Sequence, residues 1–268
     1  APRHPSEGRM NGAELSLADV SKSFGGLMVI DHLGFTVKRG SRTALIGPNG
    51  AGKTTVFNLV SGVYPIDDGK ISLDGEDISM VPPARRIGHG ISRSFQNIRL
   101  MPHLSTVENV MLGEHWRRPA FSLARGRRAV EAARSALADA GLQTYPGQVV
   151  SNLPYGIQKR IEVVRALLAE PKILMLDEPA AGLNNAESDD LRALLERLST
   201  RGVTLLVVEH DMHFVRRLCD HVVVLNFGRL IFEGTPEQVH RAPAVIEAYL
   251  GTDAQPKAAQ STNTEQAR

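Results

Sequence analysis

The sequence predicts an α/β fold built on a mostly parallel sheet, and three observations carry that expectation. Strand-length apolar runs such as 173–176 and 222–225 alternate with amphipathic helical stretches, the pattern of a sheet covered on both faces. Residues 47–54 (Gly47-Pro48-Asn49-Gly50-Ala51-Gly52-Lys53-Thr54) match G-x-x-x-x-G-K-[ST], a phosphate-binding loop. That loop stands between a strand-like run at 43–46 and a helix-like run at 55–60, the context the motif requires.

The elements follow in chain order. Strand-like alternation occupies 14–20 and resumes at 34–37. Residues 69–78 read as two short strands about a turn, an antiparallel region beside the main sheet. Between about 97 and 148 the β signals fade, and 104–112 and 128–141 carry helical periodicity. This stretch predicts an inserted helical subdomain, about 98–159. The core then returns with a helix at 158–169, a strand at 172–177 and a helix at 185–199. A strand at 203–208, a helix at 212–219 and a strand at 221–225 complete it. Residues 1–12 read as a flexible extension, 13–251 as one domain, and 252–268 as a tail without periodicity, hence disordered.

The loop has a physical task at each position. Its glycines allow tight turns that aim backbone N–H groups at an anion. Lys53 offers a compact charge to the β- and γ-phosphates, and the Thr54 hydroxyl can sit on Mg²⁺. The following helix, beginning near Thr55, directs its positive dipole end at the same phosphates. Gly47, Pro48, Asn49, Gly50, Ala51, Gly52, Lys53, Thr54 and Thr55 are therefore expected to bind a nucleoside triphosphate.

Two further strands end in polar residues. Ile173-Leu174-Met175-Leu176 runs into Asp177 and Glu178, and a buried strand delivers such acids to the edge where the loop lies. Asp177 is expected to hold Mg²⁺, leaving Glu178 to orient and deprotonate an attacking water. Val207-Val208-Glu209-His210 brings a histidine to the same edge, within expected reach of the γ-phosphate. His213 invites a metal-pair reading, but no third ligand accompanies it, so a metal pair is rejected.

These pieces and their spacing resemble the ATP-binding cassette (ABC) family over nearly the whole chain, from about residue 13 to residue 251. The resemblance implies a P-loop NTPase core that binds ATP and Mg²⁺. It implies that Phe24 stacks on adenine, and that Gln96 ligates Mg²⁺ and senses the γ-phosphate. Glu178 matches the catalytic base position and His210 the switch histidine. The signature element, usually L-S-G-G-Q, reads Leu153-Pro154-Tyr155-Gly156-Ile157; Leu153, Tyr155 and Gly156 would contact nucleotide held by a second cassette. Pro154 removes a hydroxyl and an N–H donor from it. In the loop after the acids, Asn184 replaces the family's aspartate, keeping hydrogen bonding but not charge.

Tyr155-Gly156, the runs 93–100 and 178–184, and the closing 245–251 are similar to the longer ATPase subunit of branched-chain amino acid importers. Relatives importing urea or other small solutes share much of this pattern. The resemblance implies an ATPase paired with a second cassette, identical or homologous, and docked on membrane-spanning permease subunits through residues 98–104. A solute-binding protein would be an indirect partner, and the location the cytoplasmic face of the inner membrane.

Bulk properties fit this. The chain has 268 residues, 42% hydrophobic and 22% charged, with a net charge of +2 that demands no polyanionic partner. No run approaches the ~18 apolar residues that span a bilayer, and the first nine residues lack the apolar core of a secretory signal. The single Cys219 cannot form an internal disulfide; a buried thiol in a reducing compartment such as the cytosol is expected. Arg117, Arg118, Arg125, Arg127 and Arg128 read as a solvated basic face, with lipid headgroups the main competing partner. Nucleic acid is not expected, since no aromatic pattern interleaves the basic residues. Two rivals remain: a cassette ATPase acting on ribosomes or DNA, which would need paired cassettes or long coiled-coil insertions, and a P-loop kinase.

Overall fold

The computed structural model describes residues 11–94, 98–113 and 123–253. Strands β1 (Leu15–Phe24) and β2 (Leu27–Val37) form an antiparallel hairpin, longer than the separate runs predicted at 14–20 and 34–37. After β3 (Arg42–Ile46) and α1 (Lys53–Val60), strands β4 (Asp68–Leu73) and β5 (Glu76–Asp77) join the hairpin in a four-stranded sheet of order β2-β1-β4-β5.

The chain continues through α2 (Pro83–His89), β6 (Ile91–Arg93), α3 (Thr106–Met111) and α4 (Leu123–Asp139). A 3₁₀ turn at Val150–Asn152 leads into α5 (Tyr155–Leu167) and β7 (Ile173–Asp177). Then come α6 (Asn185–Thr200), β8 (Thr204–Val208), α7 (Met212–Leu218), β9 (His221–Asn226) and β10 (Arg229–Gly234). Helices α8 (Pro236–Val239) and α9 (Pro243–Asp253) follow. Helix α9 runs two residues into the predicted tail. Helix α5 begins three residues before the predicted 158, with Pro154 as its N-cap, and crosses the expected end of the helical insertion. Short elements the sequence reading passed over are α2, β6, β10 and α8.

The main sheet has the order β10-β9-β3-β8-β7-β6, parallel from β9 to β6 with β10 antiparallel at one edge. Successive strand residues face opposite ways. Ala44, Ile46, Leu174, Leu176, Leu205, Val207, Val222 and Val224 enter a core shared with α3 to α7. Leu45, Ile173, Met175, Leu206, Val208, Val223 and Leu225 enter the other, which contains α1 and the antiparallel sheet. Helix α1 supplies Val56, Phe57, Leu59 and Val60 to that second core and is thereby clamped between two sheets.

The clamp is completed by Arg86, whose side chain is buried with backbone carbonyls as its acceptors. Its Nη1 donates to Leu59 O (2.8 Å) and Val60 O (2.5 Å), its Nε to Val81 O (2.8 Å) and its Nη2 to Ser79 O (3.0 Å). Helix α1 has no basic residue in its last turn, so this guanidinium supplies the charge that its C-terminal carbonyls favour. Burial pushes the Arg86 pKa down to about 10, still charged at neutral pH. Arg86→Met is expected to lower the unfolding free energy by about 2–4 kcal/mol, because buried carbonyls lose their donors. Urea denaturation reads this directly; a loss below about 0.5 kcal/mol would show the carbonyls satisfied without the guanidinium.

Candidate functional site

Parallel pairing brings three strand ends to one edge. Leu45 of β3 and Asp177 of β7 both pair with Val208 of β8, so the loop after β3, the acids after β7 and His210 after β8 emerge side by side. At the loop entry Gly47 adopts φ 150°, and a β-carbon there would overlap the Leu225 carbonyl oxygen and stand 3.0 Å from the Ala51 side chain. The Ala51 N–H donates to Pro48 O, and Gly228 N–H to Ala51 O, so the turn between β9 and β10 braces the loop from behind. Gly52, left-handed at φ 100°, is the N-cap of α1 and offers no side-chain acceptor. The first N–H groups of α1 thus have neither intrahelical partner nor cap, a backbone arrangement suited to an anion.

Lys53 Nζ donates to Gly47 O (2.6 Å) and Pro48 O (2.9 Å). Burial lowers its pKa, while the charges of Glu178 and Asp177 act in the opposite direction. Asp177 is buried and accepts from Arg93 Nη2 at 2.9 Å. Arg93 is itself held by Asn58 Oδ1 (2.6 Å) and lies over the Phe57 ring at 5.5 Å, so α1 and β7 are joined through it. Glu178 sits at φ 47°, a left-handed conformation costly for a residue with a β-carbon, and its N–H is fixed on Val208 O. His210 is exposed, its Nδ1 3.9 Å from Glu178 Oε1. Beneath them the buried Glu209 accepts from the N–H groups of Ala180 (2.8 Å) and His210 (3.2 Å). Burial raises the Glu209 pKa against those hydrogen bonds.

The altered signature run occupies the first turn of α5. Leu153 is buried, Tyr155 is partly exposed, and the Tyr155 ring lies where a β-carbon on Gly182 would stand 3.3 Å from it. A β-carbon on Gly156 would meet the Glu187 carboxylate at 2.7 Å. Asn184 is the N-cap of α6, accepting from Glu187 N–H (3.0 Å) while Glu187 accepts from Asn184 N–H (3.1 Å). Asparagine serves this cap as well as aspartate, which accounts for the departure at 184.

Not every expected residue joins the cluster. Phe24 ends β1, edge-to-face with Tyr64 at 5.1 Å and 5.4 Å from Lys22 Nζ. Gln96, Arg117 and Arg118 lie outside the described residues, whereas Arg127 and Arg128 are exposed on α4. Cys219 is buried, and burial pushes its thiol pKa far up, so it is an inert core residue. The sequence reading missed Arg93 and Glu209, which hold Asp177 and the backbone beside Glu178. The alternation at 91–93 and the acid ahead of His210 were the available signals. Among the described residues no helix is long and apolar enough to cross a membrane.

A strand–loop–helix phosphate cradle with paired acids and a histidine on adjoining strands defines a P-loop ATPase cassette. Residues 30–181 match the ABC transporter family, and the chain belongs to it. Residues 229–255 match a second family, the branched-chain amino acid ATP-binding cassette transporters. The chain is 41% identical to the high-affinity branched-chain amino acid transport ATP-binding protein BraF of Pseudomonas aeruginosa, over 88% of this chain and 97% of that one. It is 37% identical to the corresponding LivG of Escherichia coli, with the same coverage. Among solved structures, the ADP conformation of MJ1267, an ATP-binding cassette of an ABC transporter, matches with a TM-score of 0.80 and 30% identity, covering 89% of this chain and 99% of that one. The dimeric cassette MJ0796 matches with a TM-score of 0.72 and 25% identity, over 83% and 98%.

The loop geometry separates two glycine positions. Gly47→Ala is expected to cost about 2–4 kcal/mol of unfolding free energy, since its β-carbon meets fixed backbone. Gly50→Ala, left-handed at φ 81° but with open space around it, is expected to cost about 1 kcal/mol. Parallel denaturant titrations of the two variants check the difference, and equal losses would refute it.

Proposed function

We propose that the chain is the ATP-hydrolysing subunit of an importer for branched-chain amino acids or a related small solute, working in its Mg²⁺-dependent form. The observation that supports this best is the gathering of Lys53, Asp177, Glu178 and His210 at one sheet edge beside an uncapped helix N-terminus. The named activities of BraF and LivG supply the solute class.

In this reading Lys53 exchanges its two carbonyl acceptors for phosphate oxygens, and the N–H groups of residues 49–55 hold the remaining oxygens. Polyanion charge favours the ammonium form that burial disfavours. Thr54, Asp177 and Gln96 would hold Mg²⁺, whose chemistry is to neutralise charge on the phosphoryl group. The donor set is oxygen-rich and suits a hard cation. Glu178 takes the proton of the attacking water, and His210 orients the γ-phosphate beside it. Phe24 stacks on adenine. Leu153, Tyr155 and Gly156 complete the site of a second cassette, so each nucleotide lies between two subunits.

The permease contact in this reading is residues 98–104. There Met101, Pro102 and His103 are exposed, while the fully buried Asn109 holds the backbone beneath them through Met101 N–H (2.7 Å), Met101 O (3.0 Å) and Leu104 O (3.3 Å). Such a contact would keep the subunit at the cytoplasmic face of the membrane, peripheral and held by its permeases.

Glu178→Gln tests the chemistry. Turnover is expected to fall by at least ~100-fold while ATP affinity changes by less than about 3-fold, because only the base is lost. Phosphate release and equilibrium ATP binding on the same preparation measure both; wild-type turnover in this variant would remove Glu178 from the role.

A further inference from the structure

Strand β8 ends at Val208, and the next residue, Glu209, carries a buried side chain. The parallel ladder between β7 and β8 closes on the bond from Glu178 N–H to Val208 O at 2.9 Å. Beyond that bond the backbone at Glu178 turns left-handed at φ 47°, and strand pairing goes no further. The Glu209 carboxylate takes over where the ladder stops, its Oε1 accepting from the Ala180 N–H at 2.8 Å. Pro179, between them, has no N–H to give. Both N–H groups of the stretch from Glu178 to Ala180 are therefore held by consecutive residues, Val208 and Glu209. The other carboxylate oxygen, Oε2, accepts from the His210 N–H at 3.2 Å. Asp211 then caps α7 by accepting from the N–H groups of His213 and Phe214.

We propose that Glu209 is a positioning residue for hydrolysis, a single carboxylate that fixes the turn bearing Glu178 against the segment bearing His210. The proposal rests on the reading that Glu178 is the base and His210 orients the γ-phosphate. A left-handed glutamate persists only where its surroundings over-determine it. Val208 O holds Glu178 at its own N–H, and the Glu209 bond holds the turn two residues further on. Ala181 N–H, donating to Glu178 O at 3.2 Å, closes the turn within itself. The two functional side chains meet with His210 Nδ1 3.9 Å from Glu178 Oε1, and one acid holds both backbones beneath that meeting.

An acid serves here where an amide would not. Glutamine offers one oxygen, and its amide nitrogen would face the second N–H as donor against donor. Placement matters because a shift of about 1 Å in a reacting group can cost roughly 100-fold in rate.

Glu209→Gln in the full-length chain tests this, since it keeps the shape of the side chain and removes one acceptor. Measured at least ~15 °C below the variant's own unfolding midpoint, where the chain is folded, kcat for ATP hydrolysis is expected to fall about 10- to 100-fold. ATP affinity by equilibrium binding is expected to stay within about 3-fold, because the phosphate loop is untouched. Added to Glu178→Gln, the same change is expected to lower residual turnover by less than about 3-fold, since the base it places is already gone. A kcat within about 2-fold of wild type, whatever the midpoint, would make Glu209 a packing acid and overturn the proposal. So would an affinity loss as large as the kcat loss, or an undiminished factor in the double variant. Should Glu209→Gln not fold, Glu209→Asp, which keeps the charge and shortens its reach, takes its place with the same expectations. Failure of both to fold would make the acid a folding determinant and overturn the proposal. Wild-type turnover in Glu178→Gln alone would instead overturn the reading of the base, and this proposal with it.

Discussion

The in-register parallel pairing of β3, β8 and β7 is the constraint on which the site depends. These strands are five residues each, buried almost throughout, and apolar on both faces. A slip of one residue would exchange every side chain between the two cores. It would also draw Asp177 back along the sheet, away from Arg93 and from the loop after Ile46. Packing on both faces forbids this, because the α1 side has room for Met175 and Leu206 while the α5 side takes Leu174 and Leu205. Apolar burial therefore sets the position of charged groups that themselves contribute little to the core. Arg86 and Arg93 then pin α1 from its two sides, one at its C-terminal carbonyls and one through Asn58.

A second unit is organised around α5. Lys159, Arg160 and Glu162 are buried on it, unusual for three charged residues in so short a span. Arg160 donates to Asp190 (2.8 Å) and to Ala140 O (2.6 Å), tying α5 to α6 and to the end of α4. Glu162 accepts from the Arg99 N–H at 3.4 Å, and Arg165 Nη1 donates to Arg99 O at 2.6 Å. Arg99 is thus gripped at both backbone groups by one helix. Any displacement of the backbone at 98–100 either breaks charge-assisted hydrogen bonds or carries α5 with it, and Tyr155 and Gly156 ride on the first turn of α5. Burial lowers the Lys159 pKa, while the charges of Glu162, Glu209, Asp177 and Glu178 act in the opposite direction.

Much of this was legible in the residues. Strands buried on both faces announce themselves as short apolar runs, which is why β7, β8 and β9 fell within a residue of expectation. The phosphate loop was legible because each of its positions answers a local demand. The short elements were not: β6 is three residues and α8 four, too brief for periodicity to register. Helix α5 began earlier than expected because proline reads as an interruption, whereas Pro154 has the extended dihedrals of an N-cap. Arg93 and Glu209 escaped notice for another reason. Each acts through contacts 29 to 84 residues away in the chain, and no local pattern encodes that.

Glu178 holds a left-handed backbone that glycine or asparagine would occupy with less strain. Substitutions ranked on folding free energy alone would therefore favour replacing the side chain proposed as the base. In that reading, a lineage selected only for thermal endurance would drift toward a firmer turn and a silent enzyme. The acid at 178 stands against the preference of its own backbone, and that tension makes the position a sensitive gauge of whether the ATPase activity is under selection.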